Sequence, residues 1–169
     1  KSGLKVYAIA DGYISRIKVS KGGYGKAIYI QHDNGYSSVY AHLMRYSGKI
    51  QDYVVNNQYA SEKYEIELFP KVDSIRVKKG DIIGLSGNTG GSFAPHLHFE
   101  IRRTHNQNPV NALHFGLRVR DDISPIIRSL KVYSQSETTQ IDGEHSDKLI
   151  KVIGGSGEYT LKDTIKVSG

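Results

Sequence analysis

The chain has no cysteine among its 169 residues, which excludes disulfides, thiolate metal sites and a cysteine nucleophile. A cysteine-free chain fits an oxidising compartment without requiring one. Tryptophan is absent, methionine occurs once and proline four times. No apolar run approaches the roughly 20 residues of a membrane helix. With no initiator Met and no signal peptide, the N-terminus reads as processed, cut or preceded by further chain. What is plentiful points to strands. Ile and Val total 30 against 10 Leu, Tyr supplies 12 of 16 aromatics, and Gly numbers 18. β-branched and aromatic residues suit a pleated sheet, and glycines suit tight turns. Ile, Val, Leu and Phe together number 44, enough apolar surface to argue against disorder.

Charge is uneven. The net value is +6; residues 1–44 carry +4, 45–76 are balanced, 77–119 carry +3 and 120–169 carry −1. The basic bias of the first 119 residues reads as attraction for an anionic partner, against the plainer alternative of solvated lysines. Nucleic acid is not expected, because no Lys/Arg cluster or nucleic-acid motif is present.

Alternation predicts strands over residues 4–10, 13–20, 26–32, 36–42, 81–86 and 96–102. Asp33-Asn34-Gly35 between two alternating runs is a hairpin signal. Residues 44–76 break this rhythm. Ile50, Tyr53 and Val54 have helical spacing, while Ile66 and Leu68 alternate with Glu65 and Glu67. The segment reads as a folded flap inserted in a compact β core and narrowing a groove. A last segment begins near Gly116, with strands expected over 126–133, 149–153 and 159–167 and a linker over 121–125.

The chemistry concentrates in Pro95-His96-Leu97-His98-Phe99-Glu100-Ile101-Arg102. On a strand, Leu97, Phe99 and Ile101 share the core face and His96, His98, Glu100 and Arg102 the other. Two imidazoles so placed stand roughly 7 Å apart at a ~3.4 Å rise, which lets one bind a metal while its neighbour reaches a water there. The bland alternative is two exposed histidines on an open sheet. Tyr40-Ala41-His42-Leu43 puts a third histidine at a strand end, where alternation groups it with Ser38 and Tyr40 against Val39 and Ala41. The loop Ser86-Gly87-Asn88-Thr89-Gly90-Gly91-Ser92 lacks the Gly-Lys-Ser/Thr ending of a phosphate loop and reads as flexible backbone around a site. His32, His105, His114 and His145 have no companions and read as structural or exposed.

The run Gly80-Asp81-Ile82-Ile83-Gly84-Leu85-Ser86-Gly87-Asn88-Thr89-Gly90, followed by Ala94-Pro95-His96-Leu97-His98-Phe99-Glu100, resembles the lysostaphin/LytM-type zinc peptidases. Tyr40-Ala41-His42-Leu43 matches a second signature. Asp11-Gly12 with Gly23-Tyr24-Gly25 matches the opening strands, and Asn108-Pro109-Val110-Asn111 the exit. The resemblance covers about residues 3–115. It implies a mainly β fold, a small antiparallel β sandwich built on a duplicated hybrid motif around a groove. It implies endopeptidase activity on peptide cross-links of bacterial peptidoglycan, in the periplasm or outside the cell. By the same resemblance His98 is a zinc ligand, while His42 and His96 are non-ligand catalytic residues that handle water and the tetrahedral intermediate. The domain expectation is a peptidase domain over 1–115, with an inserted flap at 44–76, and a β-rich extension over 116–169, as in longer Gram-negative envelope members.

The family's other two zinc ligands belong to a His-x-x-x-Asp motif before the first core strand. Since the chain begins at Lys1-Ser2-Gly3-Leu4, the expectation is either a zinc enzyme whose ligand segment lies upstream or a metal-free relative that regulates a cell-wall amidase. Retention of His42, His96 and His98 favours the enzyme. Val77-Lys78-Lys79-Gly80-Asp81-Ile82-Ile83 also resembles a lipoyl or biotinyl carrier turn, but that reading leaves every histidine unexplained.

Overall fold

The computed structural model describes residues 1–120, 122–155 and 157–168. The chain divides into two compact units, Lys1–Arg118 and Val119–Gly169. In the first unit the strands are β1 (Lys5–Tyr7), β2 (Gly12–Val19), β3 (Lys26–Gln31), β4 (Tyr36–Ala41) and β5 (Leu43–Tyr46). Helix α1 (Gly48–Ser61) follows, then β6 (Ile66–Leu68), β7 (Arg76–Val77), β8 (Ile82–Ser86), β9 (His98–Arg103) and β10 (Pro109–Val110). They form a sheet in the order β10-β9-β4-β3-β2-β6, with β7 also pairing with β2, and a smaller sheet β1-β8-β5. Every pairing is antiparallel. The fold is therefore mainly β, as expected.

The main core lies where alternating apolar positions of both sheets meet. The large sheet supplies Ile14, Ile17, Val19, Ile28, Ile30 and Tyr40; the small one supplies Val6, Leu43, Tyr46 and Ile83. Ile14 and Ile17 are three residues apart, yet both are fully buried. A bulge between Ile14 and Arg16 resets the alternation, as one extra residue in one strand must. The opposite face of the large sheet carries a smaller cluster of Ala27, Tyr29, Val39 and Ala41, with Tyr24 packed on it.

The helix in residues 44–76 forms at the predicted spacing, with Ile50 and Val54 buried in the main core and Tyr53 packed beside them. Glu62 closes it in the left-handed region, donating its N–H to the Gln58 and Tyr59 carbonyls. β6 and β7 both pair with β2, at the sheet edge opposite β9 and β10. The segment is thus woven into the core and one sheet edge, away from the histidine-bearing strand. Alternating apolar residues at 66 and 68 allowed either a flap or a sheet edge; backbone pairing with β2 selects the edge.

Two other boundaries shift. β9 starts at His98, not His96: Pro95 lacks an N–H, and His96 joins Gly87 only through an isolated bridge. Leu97, expected in the core, is 39% exposed because it precedes the regular strand. In the second unit, β11 (Ser129–Val132), β12 (Gln140–Ile141), β13 (Lys148–Gly155), β14 (Glu158–Leu161) and β15 (Val167–Ser168) replace the three expected strands. β11-β13-β14 make one sheet around buried Ile150, and β12 pairs with β15 beside Ile141. The run over 159–167 breaks after Leu161, where the Lys162 N–H turns back to the Lys151 carbonyl. Of the expected linker, Asp121 lies outside the described residues. Among the described residues no helix is long and apolar enough to cross a membrane.

Ile50 tests the integration of residues 44–76. Ile50→Ala is expected to cost about 2–5 kcal/mol in urea unfolding, the range for a truncated core residue. A loss under about 0.5 kcal/mol, typical of surface positions, would show that the helix is peripheral.

Candidate metal centre

His98 stands at the start of β9, opposite Ala41 of β4. Pairing puts His98, Glu100 and Arg102 on one face with Ala41, Val39 and Ser37, the face of the smaller cluster. Simple alternation would send His42 to the other face with Tyr40. Instead His42 has φ 56°, a left-handed conformation uncommon outside glycine. Its N–H donates to the Tyr24 carbonyl at 3.0 Å, and its Nδ1 bonds the Thr89 carbonyl at 2.8 Å. The turn carries the ring back over β9, with its centroid 5.7 Å from that of His98 and 4.8 Å from that of His96.

The three predicted site residues therefore meet. One ligand atom from each of His42, His96 and His98 lies within 4.8 Å of the others. His42 is buried, His98 half-buried and His96 exposed. Hydrogen bonding assigns their tautomers, because a carbonyl or carboxylate oxygen accepts only. Thr89 O takes Nδ1–H of His42, and Ala94 O takes Nδ1–H of His96 at 2.8 Å. Glu100 takes Nε2–H of His98 at 2.5 Å. Each ring is thus pinned through one nitrogen and presents a lone pair on the other: Nε2 of His42 and His96, Nδ1 of His98. A neutral imidazole backed by a carboxylate is a usual way for a protein to present nitrogen to zinc, and Nδ1 of His98, with Glu100 on the ring's other nitrogen, fits that description.

Glu100 anchors a network on this face. Its Oε1 accepts from His98 and Tyr24, and its Oε2 from Arg102 Nε at 2.7 Å; Arg102 Nη2 also donates to the Tyr24 hydroxyl at 3.2 Å. Burial pushes the Glu100 pKa up, but the hydrogen bonds from Arg102, Tyr24 and His98 outweigh it and bring it down to about 2. The bond to ionised Glu100 and partial burial raise the Tyr24 pKa, keeping its hydroxyl a donor. The Tyr24 ring packs against His98 at a 39° tilt with centroids 4.7 Å apart.

The glycine-rich loop after β8 is not loose backbone. Thr89 Oγ1 accepts from the Lys26 N–H and donates to the Leu43 carbonyl, and Gly91 N–H donates to Gly23 O. A Cβ at Gly90 (φ 78°) would stand 2.3 Å from Gly25 N, so glycine is what lets two loops touch and fixes Thr89 behind His42. His32 is buried and structural, bonded to Asp11 O and Ser38 Oγ.

Sequence reading did not give Tyr24, Arg102 or Thr89 a role. Arg102 was accessible by period two from His98. Tyr24 and Thr89 act through contacts 76 and 47 residues away in sequence, to Glu100 and His42, and no local pattern signals such contacts.

Residues 1–62 and 71–112 match the model of peptidase family M23. The chain belongs to that family. It is 36% identical over 115 residues to the DD-carboxypeptidase/endopeptidase Mpg of Neisseria meningitidis serogroup B, covering 68% of this chain and 20% of that protein. It is 36% identical over 99 residues to lysostaphin of Staphylococcus simulans, covering 58% and 15% respectively. The crystal structure of the lysostaphin catalytic domain aligns with 68% of this chain and 71% of that one, at 30% identity and a TM-score of 0.49. The matched region spans about one fifth of the Neisseria relative.

Two measurements probe the centre. Glu100 has a depressed folded pKa, so its contribution to stability is complete above about pH 4.5 and is lost as pH falls toward 2. In metal-free protein, the stability gap between wild type and Glu100→Gln is expected to be flat above pH 5 and to close below 4.5. A gap independent of pH would mean that the charge of Glu100 is not what the network holds. Gly90→Ala is expected to separate the loops and move the His42 ring resonances, while resonances from the main core stay in place. Unshifted His42 resonances would contradict the part given to Thr89.

Proposed function

We propose that this chain carries the catalytic region of a zinc metallo-endopeptidase that hydrolyses amide bonds in the peptide cross-links of bacterial peptidoglycan. The observation that supports it most is the convergence of three imidazole lone pairs, each fixed by a hydrogen bond on the ring's other nitrogen. Family membership and relatives named as endopeptidases and lysostaphin support the reaction class and the substrate. The site of action is the cell envelope, periplasmic or secreted. The basic surface of the first 119 residues favours approach to an anionic polymer.

In this reading His98 ligates through Nδ1, with Glu100 holding the ring in orientation and tautomer. Bound zinc would polarise the scissile carbonyl and lower the pKa of water. His42 and His96 move protons: one takes the proton of the attacking water at Nε2, and one returns a proton to the departing amine nitrogen. Imidazole is the side chain suited to both near neutral pH. A catalytic zinc keeps three protein ligands and one open position, so two further ligands join His98 in the active protein.

Zinc affinity, measured by competition with a chromophoric chelator, and cleavage of cross-linked muropeptide dimers separate these roles. His98→Ala is expected to lose zinc and activity together. His42→Ala and His96→Ala are expected to keep most of the zinc and lose about 10²–10⁴ in rate. If all three substitutions weaken zinc equally, the triad itself is the ligand set. If the wild type with bound zinc leaves dimers uncut, the cross-link reading fails.

A further inference from the structure

The face that carries His98 continues well beyond the histidines. His98 bonds Glu100 at 2.5 Å, and Glu100 bonds Arg102 at 2.7 Å. The Arg102 guanidinium carbon lies 5.9 Å from the Tyr29 ring centroid, and that of Arg16 lies over the same ring at 4.5 Å. Arg16 is also 6.0 Å from the centroid of Phe69, on the stretch after β6. These contacts make an unbroken wall from the metal centre on β9 to the edge strands supplied by residues 44–76. At its far end is a cavity of about 290 Å³, bordered by Arg16 and Ser15 as well as by Tyr29, Gln31, Ser37, Phe69, Thr104 and Gln107.

We infer that this cavity is a carbohydrate subsite, which holds an N-acetylated sugar of the glycan strand while a peptide attached to that strand reaches the histidines. The chemistry of its lining selects this ligand. Phe69 is 69% exposed and offers a flat apolar surface for the C–H face of a pyranose. The Ser37 and Thr104 hydroxyls bond each other at 2.9 Å and the Gln107 amide donates to the Thr104 carbonyl at 2.9 Å, so the groups left to meet a sugar's hydroxyl and acetamido groups are the Gln31 amide, the Gln107 amide oxygen and the remaining lone pair of Thr104 Oγ1. The Arg16 charge is paired with Glu67, so the cavity selects no ionic ligand. The volume falls just under the range of small-molecule sites, about 300–1,000 Å³, which suits a single ring rather than a folded partner. Peptides are commonly read by adding a strand at an exposed sheet edge. This cavity instead lies on a sheet face, where Gln31, Ser37 and Arg102 form one cross-strand row.

Distance agrees. Tyr29 pairs with Val39 and Val39 with Glu100, two residues along β9 from His98, while Gln31 and Ser37 lie in the row of Arg102, four residues along; strand spacing and rise put Tyr29 about 12 Å and Gln31 about 17 Å from His98. An extended peptide of three to five residues spans roughly 10–18 Å. A sugar in the cavity and an amide bond at the histidines can therefore belong to one strand-linked peptide. The inference rests on the wall polymer being the substrate, but its test needs neither metal nor turnover.

Tetra-N-acetylchitotetraose serves as the probe, titrated into ¹⁵N-labelled protein with a tetraglycine control. Saturable shifts are expected at Gln31, Phe69, Thr104 and Gln107, and none at His42 or His96. Phe69→Ala, at an exposed position and checked by an unchanged melting temperature, is expected to weaken the probe about two- to tenfold. No saturable shift, equal affinity in Phe69→Ala, or the same shifts from tetraglycine alone would each overturn the assignment. Probe binding without cross-link cleavage would leave this subsite standing and remove the proposed reaction. Cleavage without probe binding would do the reverse.

Discussion

The register between β4 and β9 is the constraint on which the site depends. Ala41 faces His98, Val39 faces Glu100, and Tyr40 faces Phe99. Side chains alternate with period two, so a slip of one residue would send His98 into the main core and Phe99 onto the site face. That register is held because Tyr40, Ile101 and Ser38 must lie on the buried side; Tyr40 is 1% exposed, and its hydroxyl accepts the Ile9 N–H. Burial of Tyr40 and Ile101 on one face, and of Val39 and Ala41 beneath the site on the other, thus places His98 and Glu100.

A second layer of control comes from loops rather than strands. His42 reaches the centre only through a left-handed backbone that two carbonyls, of Tyr24 and Thr89, hold in place. Those carbonyls sit on loops whose close approach depends on Gly25 and Gly90. The same Tyr24 returns through its side chain to Glu100 and packs against His98. The histidines from β9 and from the end of β4 are therefore tied to one loop, and a disturbance there reaches both. Glu100 is the electrostatic centre of this arrangement: three donors converge on one carboxylate, keep it ionised and fix the tautomer of His98.

Much of this was legible in the sequence. The strands follow from Ile, Val and Tyr at alternating positions, and the hairpin from Asp33-Asn34-Gly35, whose glycine takes φ 81°. The helix over Gly48–Ser61 follows from the spacing of Ile50, Tyr53 and Val54. The three histidines were picked out by a strand motif and a family resemblance, and they converge. What escaped depends on departures from period two and on long-range pairing. The bulge at Ser15 and the left-handed His42 break alternation at single residues, and neither residue type announces it. Residues 44–76 read as a flap because strand pairing with β2 is a tertiary choice. The loop at 86–92 read as flexible because glycines that permit motion and glycines that permit contact look alike in sequence.

Anomalous diffraction at the zinc edge, from crystals of the intact zinc-loaded protein, would locate the metal. One ion is expected about 2.0–2.1 Å from Nδ1 of His98. Glu100 should still hold Nε2, and the free nitrogens of His42 and His96 should lie outside bonding distance. An ion on Nε2 of His98, an ion bonded directly to His42 or His96, or no ion at the three histidines would contradict the ligand assignment.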